Sequence, residues 1–554
     1  MYRSTSSAPR HPLAELFLLA TLSLAVLLIH GYHPWAEDGG LYVAGVEYLL
    51  RPGLFPRDTA FVTEHLQFSV FAPAVAALVR VTHVSLAGVL FSIYLISIAL
   101  TLFAALRIAQ GCFRERTAQW TAVALLAAWW TLPVAGTSLL LMDPYVTARS
   151  LSTPLSLLAL GAALRPWSRR GHNGLHVRVL VEPALCIVSL LLAAALHPLM
   201  AAYAIALVVV LRLGFTPPGR GIFLLLTAAL LSVLAVWQLR SPGESPAVVA
   251  ACFSRYYWFL SRWQWYEWLG LLGPVLIFAA VLRWPSRSYP RPVRALCIAS
   301  LQTAAVSVLI ASLFAQEHFA AHPVGRLQPL RAFLLLYVIM ILMVGGLFGS
   351  FILRLRSRLQ TSSLRLLATA TLPLCLVAAV LPMWLTQRAS FPASPPVEWP
   401  GHPNPNPWVQ AFLWIRQNTP EDAFFALDSR YINRGGEDAQ TFRALALRSA
   451  VPDFSKDGGE AAITPALAPA WLTGSNATKD LSRSSDLQRW QSLMPLGVQW
   501  LVLDASAPTN LRCPYRNPVV KVCALAQEAA WAPMRSNFKA QPRMPLRSSS
   551  LSLR

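Results

Sequence analysis

Over the first 387 residues, long apolar runs alternate with short loops in which arginine is the dominant charge. Eleven runs, at 13–30, 86–106, 119–137, 149–164, 181–197, 199–213, 221–238, 268–283, 295–314, 330–352 and 366–386, predict helices that cross roughly 30 Å of hydrocarbon. A further apolar stretch, 66–83 (LQFSVFAPAVAALVRVTH), carries Gln67, Pro73, Arg80 and His83. Whether it crosses or lies in the interface reverses the side of everything after it.

The arginines decide between the two. With 66–83 outside the bilayer core and the N-terminus cytoplasmic, the cytoplasmic segments hold 19 Arg against three acids, Glu15, Glu115 and Glu182. The rest of the membrane half then holds nine Arg and nine acids. The alternative moves five loops with 17 Arg outside, against the basic excess that cytoplasmic loops carry. The expected topology is eleven spans with 387–554 extracytoplasmic.

The membrane half, 1–386, has a long first outer loop with its juxtamembrane helices at 31–85. There Gly40–Leu50 places Leu41, Val43, Val46 and Leu49 at helical spacing and stops at Arg51-Pro52-Gly53. With 66–83 it predicts a layer lying in the interface. The aromatics of SRYYWFLSRWQWYEW, in the loop 239–267, read as an interfacial belt. Residues 387–407 (QRASFPASPPVEWPGHPNPNP) predict a Pro-rich linker. A soluble α/β domain is expected at 408–534, with WVQAFLWIRQN as an amphipathic helix and LGVQWLVLDAS (496–506) as a buried strand. The basic, Ser-rich 535–554 predicts a disordered tail.

Composition then excludes an ordinary soluble protein: 55% of residues are apolar, 13% are charged and the mean hydropathy is +0.49. The net charge of +21 belongs to loop arginines that set orientation, so no nucleic-acid partner is expected. All four lysines (Lys456, Lys479, Lys521, Lys539) lie beyond residue 387. The basic head and apolar run at the start lack a clear cleavage site and predict a retained first span.

Carboxylates at a bilayer edge are costly unless solvated, paired or used, which makes the outer acids the lead to chemistry. Glu37-Asp38-Gly39-Gly40 directly succeeds the first span. Two carboxylates there can hold a divalent ion (Mg or Mn) or act as a general base, and the glycines permit close backbone approach. Alternatively, Asp38 caps the helix and Glu37 is solvated. Asp143, before Pro144, can share the metal or position a nucleophile, or close an Asx turn. Arg149 can bind an anionic head group or snorkel. Arg326 and Arg331 stand with His318, His322 and Glu317 in the densest ionisable group outside. The arginine fork matches phosphate, and Arg331, just inside an apolar run, needs a partner, either a lipid phosphate or Glu317. His197 before Pro198 reads as a helix-end residue bonded to backbone. Cys513 and Cys523 bracket CPYRNPVVKVC and can form a disulfide in an oxidising compartment, or remain thiols. Walker A, Cys-x-x-Cys, His-Glu-x-x-His and nucleophile-elbow sequences are absent.

With these residues placed, the chain resembles the C-type glycosyltransferase superfamily, which includes protein O-mannosyltransferases and lipid A aminoarabinose transferases. The resemblance spans the whole chain. It rests on Glu37-Asp38 in a long first outer loop, the juxtamembrane helices, the second outer acid Asp143, and a C-terminal domain whose WIRQNTPEDAFF and GVQWLVLD are similar to bacterial members. It departs in lacking WWDYG, which argues against sequon glycosylation, and in reading EDGGLY where a paired Asp-Glu is commoner.

The resemblance implies a mainly α, polytopic membrane helix bundle of about eleven spans with a small extracytoplasmic α/β domain. It implies membrane lipids as surroundings and a sugar moved from a polyprenyl-phosphate carrier to a glycan, lipid or protein acceptor. Asp38 becomes the base or metal-organising acid with Glu37 beside it, and Asp143 the second acid and metal ligand. Arg149, Arg326 and Arg331, with His318 and His322, become the lipid-phosphate site. The implied location is a bacterial inner membrane, with a cytoplasmic N-terminus and a periplasmic C-terminal domain. Two rivals remain open: a lipid or small-solute transporter or flippase, and a non-catalytic scaffold. The lack of Asp or Glu in mid-span counts against ion-coupled transport.

Overall fold

The structure, a computed structural model, describes residues 12–165, 177–216, 218–283, 290–433 and 438–525. The end of the expected soluble domain and the tail 535–554 lie outside the described residues.

Each of the eleven apolar runs contains a helix. Among the described residues, seven helices are long and apolar enough to cross a membrane: Pro12–His30, Leu86–Cys112, Gly219–Arg240, Trp265–Arg283, Arg291–Phe314, Pro323–Arg358 and Ser362–Ser390. The other four runs form Arg116–Ala128, Ala148–Ala163, Val177–Leu196 and Pro198–Leu213, which are shorter or apolar over fewer residues. The run 119–137 departs most from expectation. Its helix stops at Ala128, and Pro133 and the left-handed Gly136 (φ 69°) turn the chain into a small antiparallel hairpin, Pro133–Val134 against Leu139–Leu140.

At the centre of the bundle is the helix Phe333–Arg358. A Cβ added at Gly345 would lie 2.8 Å from Ala122 Cα, and one at Gly349 would lie 2.9 Å from Ala118 Cα. Small residues on both helices permit this approach, which in lipid must supply the attraction that water supplies elsewhere.

The ambiguous stretch is bent. Thr59–Phe68 and Phe71–Thr82 meet at 99°, and the twelve residues of the second helix reach only about 18 Å, too short for the hydrocarbon core. Phe71, Ala72, Val75 and Ala76 are buried on one face, while Leu78 and Val81 are exposed on the other. It packs against Glu37–Leu50, which starts three residues before the expected Gly40. The N-cap is Ala36, so Asp38 sits in the first turn and is free for another partner.

The soluble domain carries a five-stranded sheet in the order Ser449–Ala450, Phe424–Ala426, Trp500–Asp504, Val520–Ala524, Tyr515–Arg516. Its first three strands are parallel and the rest antiparallel. Asn406 caps the helix Pro407–Asn418 by accepting from Trp408 N (2.8 Å) and Val409 N (3.3 Å). Cys513 is bonded to Cys523 beside the last hairpin. The final membrane helix runs on through Ser390, into the expected linker. Beyond it, Val397 and Glu398 lie along the first loop: Val397 bridges Tyr32, and Glu398 is 2.9 Å from His33 Nδ1.

A buried charge triad fastens the soluble domain to that loop. Arg443 donates to Asp58 (2.5 Å) and to both Asp457 oxygens (2.8 and 3.0 Å), and Asp58 also accepts from Ala450 N at 3.0 Å. Gly40 makes room, since a Cβ there would lie 2.2 Å from Thr441 Cβ. Removing one member of such a cluster leaves buried charge uncompensated, at roughly 3–5 kcal/mol. Arg443→Met is therefore expected to undock the domain, lowering Tm and speeding protease cleavage between residues 391 and 406. Unchanged cleavage would show that the triad is not the fastening.

A candidate active site between bundle and soluble domain

Every loop assigned to the outer side by arginine counting reaches one cavity of about 1160 Å³. The first loop brings Asp38, the hairpin region Asp143, the 197–198 break His197, the aromatic loop Tyr257, the 315–332 loop Arg331 and the soluble domain Lys456. The chain therefore brings these segments to one end of the bundle. Part of the expected aromatic belt is wall instead: Tyr256, Tyr257 and Trp258 line the cavity, whereas Trp265 remains 74% exposed.

The Glu37-Asp38 pair is met by a lysine that lies 418 residues away in sequence. Lys456 Nζ donates to Asp38 Oδ1 at 2.9 Å and also contacts the Glu37 carboxylate. Adjacent side chains on a regular helix diverge by about 100°. Glu37 instead takes a left-handed backbone (φ 50°), which lets the two carboxylates converge on one ammonium. Burial works against ionisation of Asp38, but Lys456, then Arg149 and Arg331, outweigh it and hold the carboxyl well below the usual carboxylate range. The glycines Gly39 and Gly40 serve packing against Tyr145 and Thr441.

Asp143 and Arg149 form their own buried ion pair. Arg331 is different. It belongs to no ion pair among the described residues, its Nε is buried without a partner, and its guanidinium lies 5.5 Å from the Tyr257 ring centre. Glu317, the alternative partner from sequence, is bonded to Arg262 (2.7 Å) and Ser261 (2.6 Å). His197 lies on the same cavity wall as Arg149 and Arg331. Its Nδ1 accepts from Met200 N at 3.4 Å, as a helix-end residue should. The Tyr42 hydroxyl feels Asp38, Arg149, Glu460 and Arg331 together, which marks where these charges converge.

Three residues proposed for lipid phosphate are placed otherwise. His322 is buried against Glu244 (3.0 Å) and is absent from the cavity wall, and His318, its ring tilted against that of Phe319, is absent from it too. Arg326 does reach the wall, but its guanidinium is committed to Glu244 (2.7 Å) and the Ala462 carbonyl (2.8 Å). The physical reason is a nearby acid: Glu244 lies at a helix end where burial demands partners. Glu244, Cys252 and His322 bring ligand-type atoms within 4.8 Å of one another, and the Arg326 guanidinium already contacts Glu244 and Cys252.

Two further cavity residues went unnoticed in sequence. His65 has both ring nitrogens buried without partners, and burial lowers it to about 4. Glu460 is in no ion pair among the described residues. Burial, then the charges of Asp457, Asp38 and Glu64, push its carboxyl up to about 8. For Lys456 the rarity of lysine was a usable signal; for Glu460 there was none.

The acids do not fit a shared metal. A dication bound to Asp38 would lie roughly 5 Å from the Lys456 ammonium, a repulsion of about 7 kcal/mol at an effective dielectric of about 20. Asp143 meets the same difficulty with Arg149.

No protein-family profile matches the chain, and no curated protein matches it. Among solved structures, the chain is similar to the Archaeoglobus fulgidus oligosaccharyltransferase tethered with an acceptor peptide. The identity is 15% over 89% of this chain and 69% of that one, with a TM-score of 0.49. Archaeoglobus fulgidus AglB in complex with an inhibitory peptide and a dolichol-phosphate matches at 12% over the same shares, with a TM-score of 0.48. ArnT from Cupriavidus metallidurans matches at 12% over 93% of this chain and 98% of that one, with a TM-score of 0.44. At TM-scores below 0.5 the likeness carries no argument about the site.

A carboxyl whose folded-state pKa is raised contributes stability below its ordinary value and loses it as pH rises through the shifted one. Glu460→Gln is therefore expected to melt higher than the parent protein above pH about 8 and to match it near pH about 4. Equal melting at both would show that Glu460 ionises normally.

Proposed function

We propose that the cavity transfers a glycosyl group from a polyprenyl-phosphate carrier to an acceptor outside the cytoplasm. Arg331 carries this reading: a guanidinium in no ion pair among the described residues, its Nε unbonded, on a cavity wall that also includes Leu196, Leu199 and Leu327. Such a setting suits a phosphate on an isoprenoid tail, because the charge is met by the fork and the tail by apolar surface. Arg149 adds a second positive charge near it, shared with Asp143. The cavity volume is of the size that encloses a ligand of several rings.

The acid first expected as base is not the better one. Asp38 is held ionised and bonded to Lys456, which leaves it weakly basic. Glu460, raised to about 8 and in no ion pair among the described residues, is the stronger base once ionised, and its carboxylate grows as pH rises toward about 8. In this mechanism the acceptor hydroxyl loses its proton to Glu460, and its oxygen attacks the anomeric carbon. The anomeric C–O bond to phosphate breaks with inversion, and Arg331 and Arg149 stabilise the departing phosphate charge.

The arginine distribution supports an orientation with the N-terminus cytoplasmic and the cavity outside, as in a bacterial inner membrane. The pairing of Asp143, Glu244 and Glu317 with arginines leaves no carboxylate chain across the bundle among the described residues of the kind that ion-coupled transport needs.

Arg331→Gln in nanodiscs is expected to weaken binding of a polyprenyl phosphate at least about tenfold, or ~1.4 kcal/mol. His318→Gln should leave it unchanged. Parental affinity in Arg331→Gln would remove the main support for this function. Transfer should rise with pH toward about 8, in step with the Glu460 carboxyl, and Glu460→Gln should abolish that rise.

A further inference from the structure

The acidic motif of the first loop invites a divalent ion, yet its surroundings already supply a cation. We infer that Lys456, delivered by the soluble domain, is the resident counter-cation of the Glu37-Asp38 pair, and that this pair works with an ammonium in place of a metal ion.

The ammonium contacts both carboxylates, and only 14% of the lysine side chain is exposed, against 40% for Asp38. An ordinary surface ion pair would leave the lysine free to swing into water. Here its backbone is tied on every side. Asp453 accepts from Ser455 N (2.7 Å) and Lys456 N (2.6 Å). Arg255, from the membrane half, donates to the carbonyls of Ser455 (2.8 Å) and Phe454 (3.0 Å). The next residue, Asp457, is held by Arg443 at 2.8 Å. The helix bearing Lys456 is thus clamped by both parts of the protein, and the amine arrives preorganised between the two acids.

The placement has a consequence for the site as a whole. The acid pair is complete only when the soluble domain is docked, since the membrane half before residue 387 contains no lysine. Lys456 acts as a positioning residue: it sets the charge and direction of Asp38 without touching the reacting atoms. Where a metal would hold two carboxylates by inner-sphere bonds, the ammonium holds them by hydrogen bonds and leaves the second Asp38 oxygen open to the cavity.

The inference concerns the same cavity as the glycosyl-transfer reading, but its test uses no transfer assay, so either can fail alone. Mn(II) binding to the full chain in nanodiscs is read by electron paramagnetic resonance. The parent is expected to show no Asp38-dependent Mn(II) site, and Lys456→Arg should behave likewise. Lys456→Met should gain one site, with affinity rising at least about tenfold, and adding Asp38→Asn should abolish the gain. Mn(II) binding by the parent that Asp38→Asn removes would overturn the inference without any variant at Lys456. A folded Lys456→Met that gains no site would overturn it too.

Discussion

The contact on which the site depends is the buried triad of Arg443 with Asp58 and Asp457. It joins a strand-and-helix domain that water alone would keep soluble to a first loop that lies at the membrane edge. Because Asp457 is the direct neighbour of Lys456, the same contact that docks the domain sets the amine beside Asp38. Gly40 allows the approach by presenting no side chain to Thr441. Docking and site assembly are thus one event, and a cavity wall is missing wherever the domain is not seated.

Three of the acids on the cavity wall, and Glu244 behind it, have a protein cation. Lys456 serves Glu37 and Asp38, Arg149 serves Asp143, and Arg326 serves Glu244. In a medium of low dielectric these pairings decide which groups remain available. Among the described residues, Arg331 is in no ion pair, and on the wall Glu267, Asp438 and Glu460 are in none either; of these acids Glu460 is the one whose carboxyl is pushed up, to about 8. Under the proposed transfer, Arg331 would meet the departing phosphate and Glu460 would take the acceptor's proton.

Much of the bundle was legible in the chain. The apolar runs became helices because backbone groups in lipid can be satisfied only within the segment itself. The stretch 66–83, put outside the bilayer core by the arginine counts, is bent by 99° between Thr59–Phe68 and Phe71–Thr82. The early stop of the third helix at Ala128 was less visible, since Pro133 lies inside an otherwise continuous apolar run. Asp38, Asp143, Arg149 and Arg331 were singled out from position alone and do line one cavity. His318 and His322 were drawn in by proximity in sequence to Arg326; neither lines the cavity, His322 because Glu244, from a different loop, captures it together with Arg326.

The amino-acid sequence by itself determined where the apolar helices of the bundle lie, though not how many of them are long enough to span, and the arginine bias between the loops. These arise from hydropathy and charge over short windows, which act locally. Only the tertiary structure decided what each charged group does. Asp38 meets Lys456 across 418 residues, and Arg443 meets Asp58 across 385. The value of a buried charge depends on which opposite charge the fold brings within about 3 Å and on how much water it excludes. No local pattern encodes either quantity.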